Sequence, residues 1–251
     1  MYLVFIAALL PLYIITLKKD PHSNFAGFLG WLLPLSAALA ITGFVQDIGL
    51  SSLLLYMALS CLSFNIGNLP VFTKSPRSAM GYKWWGVLGI AIILLISSFH
   101  SAWQIGLYFS PADGNMYVWG AVLIAAISCA VVTYTKTRVF SIYILVTLLF
   151  PALYFTVTLN DVFPAIGANL LLLAMSLLTI KKGIDRFDFR ILNFGLLLIA
   201  ILVTCRFFDL NVSFAIRGLM FVAVGAGFFA ANYILAKRKK NNPLNVQPHE
   251  N

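Results

Sequence analysis

Two arginines stand apart from every other Lys and Arg in this chain. They flank the stretch Arg206-Phe-Phe-Asp209-Leu-Asn-Val-Ser213-Phe-Ala-Ile-Arg217-Gly218, a short turn between two long apolar runs. Arg206 falls about one turn before the end of its run, and Arg217 about one turn into the next, beyond the expected N-cap Ser213. An antiparallel pair joined by a tight turn brings both guanidinium groups to similar depth. Asp209 follows Arg206 at a spacing that shares a helix face if the helix continues. One carboxylate between two arginines leaves a positive charge over. At the centre of a bilayer that charge costs about 2.5–3.5 kcal/mol on insertion scales. Near the interface the side chain snorkels to water and the cost falls. The chemistry on offer is an anion or lipid-headgroup site, aided by the positive end of the following helix. The plainer reading, and the preferred one, is a salt-bridged clasp that closes the hairpin.

Asparagines inside apolar runs are the second polar feature: Asn65, Asn68, Asn169, Asn193 and Asn232. An amide in lipid must find a partner, so these should face other helices. Their usual role is interhelical hydrogen bonding, worth about 0.6–2 kcal/mol each. Asn169, Asn193 and Asn232 therefore join Arg206, Asp209 and Arg217 as the candidate anion or structural site. Small residues form a third feature. Ala223, Gly227 and Ala231 recur at a spacing of four, and Ala121, Ala125 and Cys129 do the same earlier. Such stripes permit close helix approach, within the bundle or between copies of the chain.

No HExxH, P-loop, GxSxG or paired intramembrane carboxylate occurs in the sequence. His22, His100 and His249 are far apart, and Cys61, Cys129 and Cys205 lie singly in apolar runs. They read as packing residues without a disulfide or metal role. No catalytic residue, cofactor or metal site is expected, and an enzyme is the weakest functional reading.

The elements that must position these residues are apolar throughout. Of 251 residues, 61% are hydrophobic and only 10% charged, and mean hydropathy is +0.93. A soluble domain carries about 25% charged residues. Stretches of about 20 apolar residues, the length of a membrane crossing, recur along the chain. The expected fold is an all-α polytopic transmembrane bundle of about nine helices over residues 1–240, with a short polar cytoplasmic tail at 241–251. The runs are roughly Tyr2–Leu17, Phe25–Val45, Leu50–Leu69, Trp84–Trp103, Met116–Tyr134, Val139–Thr158, Val162–Ile180, Ile191–Phe208 and Ser213–Leu235. Between the third and fourth runs, Pro70–Lys83 reads as a long loop. Five tryptophans, Trp31, Trp84, Trp85, Trp103 and Trp119, lie near run ends and read as interfacial anchors. The first run lacks a basic leader and a cleavage site, so it reads as a retained helix.

The net charge of +9 is topological in origin and does not point to nucleic acid. All Lys and Arg other than Arg206 and Arg217 fall in alternate loops or the tail: Lys18, Lys19; Lys74, Arg77, Lys83; Lys136, Arg138; Lys181, Lys182, Arg186, Arg190; and Lys237 to Lys240. The intervening loops carry Asp47, Asp113, Asp161 and Asp209. The alternation fits an N-terminus outside and a C-terminus inside.

The C-terminal third carries a recognisable series: Asn169; Lys182-Gly183-Ile184; Asn193-Phe-Gly195; Arg206-Phe-Phe-Asp209; Arg217-Gly-Leu-Met-Phe221; Gly225-Ala-Gly227; and Asn232 before a basic end. Over about residues 162–240 it resembles an uncharacterised bacterial polytopic membrane-protein family, often encoded beside a second membrane protein with a GDYXXLXY motif. The stretch from Pro76-Arg77 to Gly89, with Trp103, is similar more loosely. The resemblance implies a bacterial cytoplasmic (inner) membrane location and a membrane-protein partner, and no reaction. Many members of that family carry a cytosolic segment before the first helix. The expected function is a non-enzymatic scaffold or accessory subunit of an envelope membrane complex, with homo-oligomerisation through Ala223, Gly227 and Ala231 also open. The alternative is a transporter or channel for a small anionic or lipid-like solute at Arg206 and Arg217.

Overall fold

A computed structural model of the chain describes residues 2–42, 50–104, 115–137, 142–157, 160, 162–209 and 213–241. Among these the fold is all-helical, with no strand. The α-helices are α1 (Tyr2–Lys19), α2 (Asn24–Thr42), α3 (Leu50–Ile66), α4 (Pro76–Ser97), α5 (His100–Gln104), α6 (Asn115–Thr137), α7 (Ile142–Thr156), α8 (Val162–Asp185), α9 (Phe189–Asp209) and α10 (Phe214–Asn241). Pro70–Lys74 forms a 3₁₀ turn. The tail expected at 241–251 lies outside the described residues beyond Asn241.

The described part of each apolar run is largely helical, but the region before Trp84 departs from expectation. It is no loop: the 3₁₀ turn fills its first part and α4 already begins at Pro76. Proline suits the first helical position, because its φ is preset and it has no N–H to leave unpaired. Lys83 and Trp84 consequently sit inside α4. At its far end α4 stops at Ser97, and the rest of the run continues as α5. The break has side-chain partners. Ser98 Oγ donates to the Leu95 carbonyl at 2.6 Å, and Trp103 Nε1 donates to the Ser97 carbonyl at 2.6 Å. Trp103 is 1% exposed and packs on Phe150. It is a core residue, and the expectation of an interfacial anchor fails there.

Among the described residues four helices are long and apolar enough to cross a membrane: α4, α8, α9 over Phe189–Arg206, and α10 over Gly218–Lys240. Shorter apolar segments are Asn24–Ala40, Ser52–Ile66, Val122–Thr135 and Ile142–Leu153. Apolar helices of this kind mark the chain as membrane-associated.

The chain divides into two compact units, Met1–Ala168 and Asn169–Asn251. In the first, α4 packs between α2 and α3, while α3 also contacts α6 and α7. Lipid tails give helices no hydrophobic reason to associate, so close backbone approach and hydrogen bonds must hold them. Both are present. A Cβ at Gly81 would lie 2.5 Å from the Gly30 carbonyl oxygen, and one at Gly86 would lie 2.5 Å from Phe64 N. Ser78 Oγ donates to the Ala26 carbonyl at 2.8 Å, and Ser63 Oγ to the Tyr82 carbonyl at 2.9 Å. Around these contacts Tyr13, Leu29, Leu33, Phe72, Ala79 and Tyr82 form a buried cluster. On α6 the buried alanines are Ala126 and Ala130, one position beyond the half-buried Ala125 and Cys129 of the expected stripe.

In the second unit, α8 and α9 form a hairpin. Its turn satisfies the last carbonyls of α8 in the pattern of a Schellman motif. Asp188 N donates to Gly183 O at 2.9 Å, and Phe187 N to Ile184 O at 3.3 Å. Phe187 occupies the left-handed position with φ 54°, a conformation that costs a non-glycine residue about 1–2 kcal/mol. Its side chain packs against the buried cluster of Leu192, Leu196 and Leu235, which offsets that strain. Asp188 then caps α9, its Oδ1 accepting from Arg190 N at 2.8 Å and Ile191 N at 3.3 Å. The two helices touch closely: a Cβ at Gly183 would lie 2.5 Å from Leu192 N, and one at Gly195 would lie 2.9 Å from the Ser176 carbonyl. Helix α10 returns along α9, and Leu235 enters the same cluster.

Candidate functional site

The hairpin residues lie at the ends of α9 and α10. Helix α9 continues through Asp209, so the condition that puts Arg206 and Asp209 on one face is met by the backbone. Arg206 is half-buried, with Nε shielded from solvent. Ser213 immediately precedes α10, the position expected of an N-cap, and Arg217 lies in that helix's first turns. The side chains of Asp209 and Arg217 lie outside the described residues.

Antiparallel register brings a third member to this level. Gly183 lies against Leu192, and Gly195 against Ile180 and Ser176. Continued along the hairpin, that register sets Asn169 level with Cys205 and Arg206. Asn169 is half-buried, as its expected bundle-facing role requires.

Asn193 and Asn232 are joined directly, at the other end of the same helices. Asn232 Nδ2 donates to Asn193 Oδ1 at 3.2 Å and to the Phe228 carbonyl at 3.0 Å. The candidate set thus separates in two. Asn169 and Arg206 share one level, and Asn193 with Asn232 links α9 to α10 near the basic end. There Lys239 Nζ lies 5.8 Å from the centre of the Phe189 ring, within the range of a cation–π contact. Between these levels α9 and α10 leave an apolar groove of about 320 Å³. Ala223 and Gly227 line it, while Ala231 packs on the buried cluster.

In the first unit Asn65 is fully buried, its Nδ2 donating to the Ala126 carbonyl at 3.4 Å. That is the interhelical bond expected of an asparagine in an apolar run. Asn68 lies just past α3 and donates to the Phe64 carbonyl at 2.8 Å. Lys83, assigned by its sequence context to a loop, lines a cavity of about 480 Å³ with Asn68 and Trp84. The missed signal was Ser75-Pro76, an N-terminal helix marker ahead of a lysine.

Among the described residues no group of three or more His, Cys, Asp or Glu is placed to hold a metal ion. The three free cysteines are separate, Cys61 buried and Cys129 and Cys205 half-buried. Compared with models of protein families, with curated proteins and with solved structures, the chain finds no match in any of the three.

Proposed function

We propose that this chain is a multi-pass protein of the bacterial cytoplasmic membrane that acts as a non-enzymatic scaffold or accessory subunit, docking a second membrane protein through α10. The observation that carries this reading is how little of α10 the rest of its own unit, Asn169–Asn251, covers. Only 6% of the apolar stretch within Gly218–Lys240 is buried, against 44% for that of α4. A bare apolar helix alone would suit lipid. Lipid contact gives no reason for glycine, however, which costs about 0.5–1 kcal/mol against alanine inside a helix. A Cβ at Gly218, Gly225 or Gly227 would meet nothing within 4 Å. Small residues on an open membrane helix let another backbone approach closely.

Nine crossings, with the N-terminus outside and the C-terminus inside, belong to the same proposal. In the first unit Arg77 Nη1 donates to Asn24 Oδ1 at 2.8 Å, which joins the starts of α2 and α4 at one basic end. In the second, the contact of Lys239 with Phe189 joins the C-terminal lysines to the basic α8–α9 turn. The alternative, a solute pathway at Arg206 and Arg217, needs a polar cavity at that level. The α9–α10 groove is apolar and its lining ends at Val203 and Met220.

Purified in a mild detergent, the chain is expected to hold a second membrane protein in fixed stoichiometry. Gly225→Leu combined with Gly227→Leu should release that partner without loss of helix content. A chain that runs as a single copy with no companion, before and after substitution, overturns the reading. A complex of two or more copies alone would assign the same face to self-assembly.

A further inference from the structure

Three apolar helices of the second unit meet at one end. The end of α8, the start of α9 and the end of α10 are drawn together by the cluster of Leu192, Leu196 and Leu235, on which Ile180, Ile184, Phe187 and Phe189 pack. The residues just beyond that cluster are basic: Lys181 and Lys182, Arg186 and Arg190, and Lys237 to Lys240. The acids in residues 181–190 and 237–240 are Asp185 and Asp188, so eight Lys and Arg leave a formal charge of +6. Asp188 is engaged in capping α9. The aromatic neighbours are engaged too, Phe187 in the cluster and Phe189 under Lys239. What faces outward is charge: Lys181, Arg186, Arg190, Lys237, Arg238 and Lys240 are exposed.

Helix ends account for part of this. The last turns of α8 and α10 carry Lys182 and Arg238 to Lys240, where the negative end of a helix dipole favours a cation. Arg190 is placed the opposite way, in the first turn of α9, where the dipole disfavours it. Arg186 lies in the turn, outside either helix. The two basic segments are far apart in sequence, and packing at Leu235 makes them one surface. Like charges so gathered repel one another, and an opposite charge relieves that repulsion.

The place of the patch selects the anion. Each of α8, α9 and α10 is long and apolar enough to cross a membrane, and each has an end in the patch. The patch therefore lies where hydrocarbon gives way to headgroups. A nucleic acid would have to approach that level from solution, whereas lipid phosphates are already there. We propose that this basic end binds the headgroups of anionic phospholipids, the α8–α9 turn and the end of α10 acting on the same headgroups. Guanidinium groups suit the phosphate oxygens, since they can donate two parallel hydrogen bonds. The patch needs a membrane surface and does not depend on what α10 docks.

The test uses the full chain in detergent with equal amounts of phosphatidylglycerol and phosphatidylcholine, and counts retained lipid by native mass spectrometry. The wild-type chain should retain phosphatidylglycerol at least about fivefold over phosphatidylcholine, the effect of one basic residue at an anionic surface. Arg186→Gln with Arg190→Gln should at least halve that preference, and Lys237→Gln with Lys240→Gln should do the same. All four together should abolish it, while Arg186→Lys with Arg190→Lys should keep it. Lys18→Gln with Lys19→Gln removes equal charge from the first unit and should leave it unchanged. Should the fourfold variant fail to fold, a wash of the wild-type chain at about 1 M salt, where screening acts within about 3 Å, must release the phosphatidylglycerol. No preference in the wild type overturns the proposal. So does a preference that survives both the fourfold variant and the salt wash, or one that falls equally with the Lys18 and Lys19 pair. Nucleic acid that co-purifies and is lost with the same four substitutions, without a lipid preference, overturns it in favour of a soluble polyanion.

Discussion

The bond between Asn232 and Asn193 shows what one amide does where water is absent. Asn232 holds its own helix through the Phe228 carbonyl and the neighbouring helix through Asn193. Either residue replaced by leucine leaves the other amide without its cross-helix partner. Each single substitution should lower the unfolding free energy in mixed micelles by about 1 kcal/mol. The double substitution should cost scarcely more than one single, because both cut the same bond. Strictly additive losses would show that the pair is not coupled. That these asparagines seek partners was legible from their apolar surroundings. Which ones pair was not, since 39 residues separate them and the register of the turn between decides. The same limit applies to Asn169, whose level with Arg206 follows from contacts at Gly183 and Gly195. No spacing in the sequence reveals it.

At the scale of the helix, hydropathy pointed to an all-helical fold but misjudged where α4 begins and ends. An apolar count follows side chains, whereas a helix follows backbone hydrogen bonds. The basic residues before Trp84 therefore looked like loop while the backbone was already helical. Small-residue stripes carry a related ambiguity. A stripe says that a helix can be approached, and leaves open whether the partner lies in the same chain. In α4 that partner is internal: Gly81 meets Gly30, and Gly86 meets Phe64. In α10 the glycines meet nothing within 4 Å. The two cases should separate by mutation. Gly81→Leu must push α2 from α4, and overpacking of this kind costs about 1–3 kcal/mol. Gly225→Ala should leave the fold intact or stabilise it by about 0.5–1 kcal/mol. Thermal unfolding of the two variants beside the wild type decides the matter. Equal losses would mean that α10 is packed as tightly as α4.

Across the whole molecule, charge is the signal that bears on orientation. In the first unit Arg77 bonds Asn24, joining the starts of α2 and α4, and in the second Lys239 lies over Phe189 at the α8–α9 turn. The division after Ala168 had no such signal. It falls within α8, in an apolar run with no change of composition. Retention of basic loops on the cytoplasmic side orients polytopic proteins, so the basic ends should be the cytoplasmic ones. Arg206 and Arg217 would then face the outside, at the opposite ends of α9 and α10 from Lys182 and Lys239. Single cysteines read this directly, in a background where Cys61, Cys129 and Cys205 are alanine. Ser213→Cys should react with a membrane-impermeant maleimide on intact cells. Lys240→Cys should react only after the membrane is opened. The reverse pattern would put fifteen basic residues outside and only Arg206 and Arg217 within, against the rule that governs insertion. The hairpin at Ser213 would then face the cytoplasm.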